Sequence, residues 1–201
     1  MQFASIYILI LLSSILRPDH ENTIEVATEI EIYPLPREVS AQKLRIKQGQ
    51  GILYEGSNPF SGISVRKYDN GQVAEKSNYI NGKREGYRCK WFPNGILSYE
   101  AYYNSNRLDG VSKTWWVNGN LRSITHNDQG KSHGTQRHWY ITGQLFKEQQ
   151  FNHGQEDGLQ KAWRTNGKLY VNYEAKNGRI YGLKRSALCY ELQNENVVYN
   201  D

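Results

Sequence analysis

Few residues in this 201-residue sequence have the type and spacing that chemistry requires. Metal and catalytic sites need histidine, cysteine or carboxylate side chains that converge at defined spacing. The five histidines show no such spacing: His20, His126, His133, His138 and His153. The adjacent acids Glu156 and Asp157 fall at a predicted turn, and there is no Gly-rich phosphate loop. We therefore expect no enzyme activity, no cofactor, and no catalytic, cofactor-binding or metal-binding residues.

The composition excludes several classes of protein. Aromatic residues make up 12% of the chain, whereas disordered chains contain few of them. The mean hydropathy of −0.76 excludes a multispan membrane protein. Two cysteines are too few for a disulfide-rich scaffold. The abundance of Gly, with 18 residues, instead indicates a chain that turns often.

The first 16 residues predict an export signal. Ile6 to Leu16 is an uncharged, mostly apolar run of 11 residues, whereas a membrane-spanning helix needs about 20. This length is typical of the apolar part of a signal peptide. The alternatives are an apolar segment packed on the domain, or an uncleaved signal that acts as a short membrane tether. We expect a protein that is periplasmic, secreted or held at the cell surface.

Residues 17–48 are predicted to form a lead-in strand and a linker. Thr23 to Tyr33 alternates strictly between apolar and polar residues, which indicates a half-buried strand. Pro34 and Pro36 end this strand, because proline cannot donate a hydrogen bond to a neighbouring strand.

Three series of glycines recur every 24 residues. The first series is Gly62, Gly86, Gly110, Gly134, Gly158 and Gly182. The second is Gly71, Gly95, Gly119, Gly143 and Gly167. The third is Gly82, Gly130, Gly154 and Gly178, with Asn106 in the missing place. A tryptophan follows the first glycine by five residues in four of the units, at Trp91, Trp115, Trp139 and Trp163. This regular spacing identifies an internal repeat.

Each repeat is predicted to form a β-hairpin. Asn-Gly pairs, such as Asn70-Gly71 and Asn81-Gly82, separate apolar-aromatic runs and favour type I′ turns. A single hairpin is marginally stable in water, so successive hairpins must stack. We expect an all-β fold, namely an elongated single antiparallel sheet of stacked 24-residue hairpins whose aromatic rows form the core.

The repeat array is predicted to span residues 49–188. A half repeat at residues 54–62 comes first, and full repeats begin at residues 62, 86, 110, 134 and 158. Leu183 to Leu188 resembles the first strand of a sixth unit, and residues 189–201 are predicted to form a C-terminal cap. Terminal repeats are expected to be atypical, because they cover exposed ends.

The repeat resembles the MORN repeat in its bacterial variant form. The resemblance lies in the pattern G-x4-W-aromatic-x-N-G-x-L, followed by an aromatic residue and N-G-K-x-x-G, over about residues 50–188. It implies a non-catalytic scaffold with protein-binding or lipid-binding roles. Bacterial arrays of this kind are often classed with the YwqK-type antitoxins, which implies an antitoxin-like partner of a toxin as a further alternative.

The two cysteines are predicted to stay unbonded to each other. Cys89 and Cys189 lie about four repeats apart, or about 40 Å across the strands, whereas disulfide Cα atoms lie within about 7 Å. Cys89 is at an inward strand position and is predicted to be buried. Cys189, in the cap, could form a disulfide with another molecule if it is exposed.

Basic residues alternate with aromatic residues along the predicted strands. Candidate partner-binding residues are Arg88, Lys90, Trp116, Arg137, Lys161 and Arg164. Such a pattern could bind nucleic acid or anionic lipid, but no dense basic cluster is present, which favours an ordinary solvated sheet face. We expect a protein partner bound along one sheet face, with anionic membrane lipid as the alternative and no nucleic acid.

Overall fold

The computed structural model describes residues 36–47 and 49–183. The predicted signal at residues 1–16, the predicted strand Thr23 to Tyr33, Cys189 and the predicted cap at residues 189–201 lie outside the described residues, as does the chain from residue 184 of the predicted sixth unit. Within the described residues, no helix is long and apolar enough to cross a membrane.

The described chain is built almost wholly of β-strands. One 3-10 helix, Ala41–Lys43, lies between the first two strands. The strands are β1 (Glu38–Ser40), β2 (Leu44–Lys47), β3 (Ile52–Glu55), β4 (Asn58–Pro59), β5 (Gly62–Lys67), β6 (Val73–Ile80), β7 (Lys83–Trp91), β8 (Leu97–Asn104), β9 (Arg107–Trp115), β10 (Leu121–Asp128), β11 (Lys131–Ser132), β12 (Gly134–Trp139), β13 (Leu145–Asn152), β14 (Gln155–Trp163), β15 (Leu169–Lys176) and β16 (Arg179–Leu183).

The main sheet has 13 strands, and from β5 to β16 consecutive strands pair antiparallel, except that the two-residue strand β11 pairs only with β10, and β10 pairs onward with β12. The strands recur with the sequence period: β6, β8, β10, β13 and β15 begin 24 residues apart. This confirms the predicted all-β sheet of consecutive hairpins. One pair departs from the pattern, because β1 pairs parallel with β5 at the start of the sheet.

The third glycine series forms the predicted type I′ turns. Asn81 and Gly82 have φ angles of 48° and 74°, so both central residues are left-handed. The turn at Ser105 and Asn106 is alike, with φ of 47° and 70°. Asparagine tolerates this conformation better than most residues, which explains its place in the slot without glycine.

The prediction of type I′ turns at the second glycine series is wrong. Asn70 is not left-handed there, and only Gly71 has a positive φ, of 83°. The amide of Gly71 donates to the carbonyl of Tyr68, and the amide of Tyr68 donates to the carbonyl of Gln72. This is a three-residue loop, a type I turn closed by a left-handed glycine. The Asn70 side chain accepts a hydrogen bond from the amide of Gln72 at 3.0 Å, so asparagine is favoured here for its side chain.

Three glycines of the first series lie at irregularities of the strands. Tyr79 pairs with Arg84 and Ser77 with Arg88, so three residues of β7 oppose one residue of β6. Gly86 is the middle residue of this bulge and has a φ of 86°. Gly110 and Gly158 occupy the equivalent places in β9 and β14. A bulge increases the local twist of a sheet, and here it recurs with the repeat.

The two faces of the sheet differ sharply. One face, which we call the buried face, carries a row of covered side chains across the middle of the strands. This buried row consists of Ser77, Ala101, Ser112, Gln136, Gln149, Gln160 and Tyr173. We call the opposite side the exposed face; it carries Tyr87, Tyr102, Val111 and Leu159, all at least 40% exposed. The expectation of an aromatic core along the array is therefore wrong, since the buried row is mostly polar and Trp91, Trp115, Trp139 and Trp163 are only half-buried.

The hydrophobic cluster lies at the beginning of the described chain. It consists of Val39, Leu44, Leu53, Phe60 and Tyr79. Three of these residues belong to, or directly follow, a second sheet of β2, β3 and β4, which adds to the single sheet predicted. Apolar residues of the segment predicted as a linker thus cover the first repeat, because the end of a stacked array exposes surface that needs a cap.

Residues 54–62, predicted as a half repeat, join this cap to the array. The carbonyl of Phe60 accepts a hydrogen bond from the amide of Gly82 at 2.7 Å. The carbonyls of Arg84, Leu108 and Ser132 receive the same bond from later turns, at 24-residue intervals. Phe60 therefore occupies a repeat position, although β3 and β4 belong to the smaller sheet.

Candidate functional site

An apolar patch lies on the exposed face across the second and third repeats. Tyr87 and Tyr102 are directly opposite each other on β7 and β8, and their ring centroids lie 5.4 Å apart, edge to face. Val111 lies in the bulge of β9, next to Tyr102, and is 41% exposed. Tyr87 is a large side chain in the bulge of β7 and is 57% exposed. We call Tyr87, Tyr102 and Val111 the tyrosine patch.

Charged residues run beside the tyrosine patch along the next row of the exposed face. Glu100 pairs with Cys89 on one side and with Lys113 on the other. Farther along this row, Arg137 Nε binds Glu148 Oε2 at 2.6 Å. Burial, followed by the nearby charge of Glu100, raises the pKa of the Cys89 thiol, so this half-buried cysteine is held in its unreactive form. The patch therefore has a rim of mixed charge.

A groove of about 450 Å³ opens on the buried face in the last two described repeats. We call it the β13–β15 groove; its lining includes Phe146, Lys147, Gln149, Glu156, Gln160, Lys161, Ala162, Tyr170, Val171 and Tyr173. Tyr173 donates a hydrogen bond from its hydroxyl to Glu156 Oε2 at 2.7 Å. Burial and this bond together raise the pKa of Tyr173, so its hydroxyl stays a donor.

Two histidines meet at the edge formed by the type I′ turns. The rings of His133 and His153 lie 4.8 Å apart, and His153 Nε2 lies 3.4 Å from Asp128 Oδ2. The sequence did not indicate this contact, because it depends on the register of three successive hairpins. Within residues 36–47 and 49–183, no three His, Cys, Asp or Glu side chains are arranged to hold a metal ion.

Comparison with known proteins identifies two of the repeats. The family model described as the MORN repeat variant matches residues 61–81 and 84–105. Residues 61–105 are MORN repeats of the variant form. The later hairpins continue the same 24-residue period of strands and glycines. No curated protein matches the chain. The likeness to YwqK-type antitoxins stays a prediction.

The six residues predicted to bind a partner do not form one surface of the repeat array. Arg137 and Lys161 lie on the exposed face, and Arg88 and Lys90 share the buried one. Trp116 and Arg164 lie at the edge formed by the three-residue loops. The structure brings Arg88 and Lys90 together near Tyr99, and it places Arg137 and Lys161 on either side of Glu148. The tyrosine patch was missed, because sequence alternation alone does not tell which face is covered.

Most of these six residues hold neighbouring repeats in place. Arg88 Nε binds Glu75 Oε1 at 2.7 Å; burial lowers the pKa of Arg88, but its bonds to Glu75 and Tyr103 outweigh this and raise it. Trp116 donates from Nε1 to the carbonyl of Trp139 at 3.1 Å. Arg164 lies 5.0 Å from the ring centre of Tyr170. These contacts join neighbouring strands and repeats.

Proposed function

We propose that the chain is a non-catalytic MORN-repeat scaffold that binds a protein partner through its exposed face, with the tyrosine patch at the centre. The observation that supports this is the exposure of Tyr87 and Tyr102, 57% and 40%, side by side on one face. Exposed aromatic pairs are uncommon on surfaces that only meet water, whereas tyrosine is enriched at protein interfaces.

The surroundings of the patch fit a protein interface. Binding energy at such interfaces is concentrated in a few aromatic anchors within a polar rim. Tyr87 and Tyr102 are already packed against each other, so they lose little side-chain entropy when a partner covers them. Glu100 and Lys113 in the adjacent row supply charges of both signs, which can select a complementary partner.

The contacts of the basic residues favour a protein partner over an anionic membrane. Polybasic membrane binding needs several free cations near one surface. Arg66, Arg88 and Arg137 are instead bound to carboxylates, and Arg84, Arg122 and Arg164 lie against aromatic rings. Membrane binding therefore remains the second candidate, and the antitoxin-like role is a special case of protein binding.

A crosslinking pull-down from the cells of origin tests the proposal. The wild-type chain is compared with Tyr87→Ser/Tyr102→Ser and with Ile141→Ser, which removes an equally exposed apolar side chain at a distant turn. We expect one reproducible partner that the wild type and Ile141→Ser retain and the double variant loses. Equal recovery by all three proteins would contradict the role of the patch.

Liposome flotation separates the second candidate. Vesicles with and without anionic lipid are mixed with the chain at low and at physiological salt. Retention that needs anionic lipid and falls with salt would favour membrane binding instead. N-terminal sequencing of the protein from cells and from medium tests the proposed export, which predicts loss of about the first 16 residues.

A further inference from the structure

Gln136 and Gln160 occupy the same place one repeat apart, but only one of them has its hydrogen bonds complete. Gln136 donates from Nε2 to the carbonyl of His126 at 2.8 Å and accepts from the amide of His126 at 3.1 Å. Gln160 makes the matching donation, to the carbonyl of Gln150 at 2.7 Å, and a second to Gly158 at 3.3 Å. Its Oε1 atom has no partner, although the side chain is only 1% exposed.

An unpaired buried acceptor costs roughly 1–3 kcal/mol, so its presence in an otherwise regular repeat needs an explanation. Gln160 lines the β13–β15 groove, whereas Gln136 does not line it. The amide cannot be turned over to remove the problem, because Nε2 already donates to two carbonyls. The groove is thus the place where a donor for this oxygen can come from.

We propose that the β13–β15 groove is a binding site for a neutral carbohydrate. The floor offers acceptors: the Glu156 carboxylate, which is held by two neutral donors, Gln149 and Tyr173, and the Gln160 carbonyl. Lys147 adds an ammonium donor to the lining. Sugar hydroxyls both donate and accept hydrogen bonds, so they match a site that presents both.

The walls of the groove suit the faces of sugar rings. Phe146 and Tyr170 supply half-buried aromatic surface, and Ala162 and Val171 supply aliphatic surface. Arg164 lies against the Tyr170 ring and fixes its orientation. The volume of about 450 Å³ falls within the range of small-molecule sites and admits one or two sugar rings. The Gln160 oxygen is covered in this structure, so a bridging water reaches it only when side chains of the lining shift on binding, as side chains at binding surfaces commonly do.

The site is independent of the tyrosine patch, which lies on the other face and in other repeats. Either proposal can therefore fail without the other. On the buried face, the groove combines one cation, Lys147, with one carboxylate, Glu156, so a charged ligand of either sign meets a like charge. A neutral ligand meets no such repulsion.

Saturation-transfer NMR and calorimetry with the full chain test this site. The probes are cellobiose, maltose, lactose and N,N′-diacetylchitobiose, with N-acetylarginine amide as a cationic comparison. We expect at least one disaccharide to bind with a Kd in the millimolar range or tighter, and the arginine probe not to bind. The absence of binding by every disaccharide at about 20 mM, or tighter binding of the arginine probe, would overturn the proposal.

Variants locate the binding. Tyr170→Ala removes a wall without touching the buried row, and we expect binding at least tenfold weaker. Gln160→Leu removes the unpaired acceptor, and we expect a loss of threefold to tenfold. Leu159→Ser, on the exposed face of the same strand, is the matched control and should bind as the wild type does. Thermal unfolding verifies that each variant is folded. Sugar binding that Tyr170→Ala leaves unchanged would place the site elsewhere and overturn the assignment.

Discussion

Tyr102 and Tyr103 are adjacent in the sequence but lie on opposite faces of the sheet. Tyr102 is 40% exposed and packs on Tyr87, whereas Tyr103 is 7% exposed. The Tyr103 hydroxyl lies 3.0 Å from the Tyr99 hydroxyl, and the Arg84 guanidinium lies 5.8 Å from the Tyr103 ring centre. One tyrosine thus stabilises the array, and its neighbour is available to a partner.

Substitution of these two tyrosines should affect the stability of the fold to different extents. Tyr103→Ser removes a buried ring and should lower the free energy of unfolding by roughly 3 kcal/mol. Tyr102→Ser removes mostly exposed area and should cost less than about 1 kcal/mol. Urea unfolding of both variants measures the difference. Equal losses would mean that the two faces are equally important for folding.

Two glycines of the first repeat should differ in their tolerance of alanine. Both have positive φ, so alanine at Gly71, where a Cβ meets open space, should cost about 1–2 kcal/mol. At Gly82 a Cβ would lie 2.3 Å from Ile52 Cγ2 and 2.7 Å from the Leu53 carbonyl oxygen. Gly82→Ala should therefore cost at least about 1 kcal/mol more than Gly71→Ala. Denaturation that ranks the two variants in the opposite order would contradict the docking of the cap on this turn.

Side-chain hydrogen bonds between adjacent three-residue loops should each contribute modestly to the free energy of unfolding. Tyr140 donates from its hydroxyl to the carbonyl of Trp163 at 2.9 Å, one repeat farther along, as Trp116 does to Trp139. Tyr140→Phe keeps the ring and removes the bond, with an expected cost of about 1 kcal/mol. Denaturant midpoints measure it. A decrease in the free energy of unfolding well above about 2 kcal/mol would show that the aromatic ring moves as well. The ring would then move, for instance, away from Phe146, whose ring centroid lies 5.0 Å from that of Tyr140.

Acid should destabilise the array partly through His138. Burial first, and then the charges of Lys147 and Arg122, lower the pKa of His138 in the folded state. The unfolded chain binds the proton more readily, so stability is greatest above the unfolded pKa of about 6.5 and falls as the pH drops below it. His138→Thr copies Thr114, which occupies this place one repeat earlier. The variant should lose less stability than the wild type between pH 7 and pH 5, and parallel curves would refute this contribution.

The repeat and its strands could be predicted from the sequence because glycine spacing reflects backbone geometry directly. The turn at Asn70-Gly71 was mispredicted, since Asn-Gly serves both a type I′ turn and a three-residue loop, and only the paired strands decide between them. The second sheet was missed because the strands that carry Leu44 and Leu53 are only four residues long and the sequence does not show that both residues pack with Phe60. The unpaired oxygen of Gln160 has no sequence signal, as Gln136 shows at the equivalent place.

Site-specific photocrosslinking tests the central proposal, that the exposed face of this repeat array binds a protein partner. The photoreactive residue p-benzoylphenylalanine replaces Tyr102 in one variant and Ile141, at a turn with similar exposure, in the other. The account predicts one discrete crosslinked protein from the cells of origin at residue 102 and none at residue 141. Crosslinking at residue 141 alone, or the same products at both positions, would contradict it.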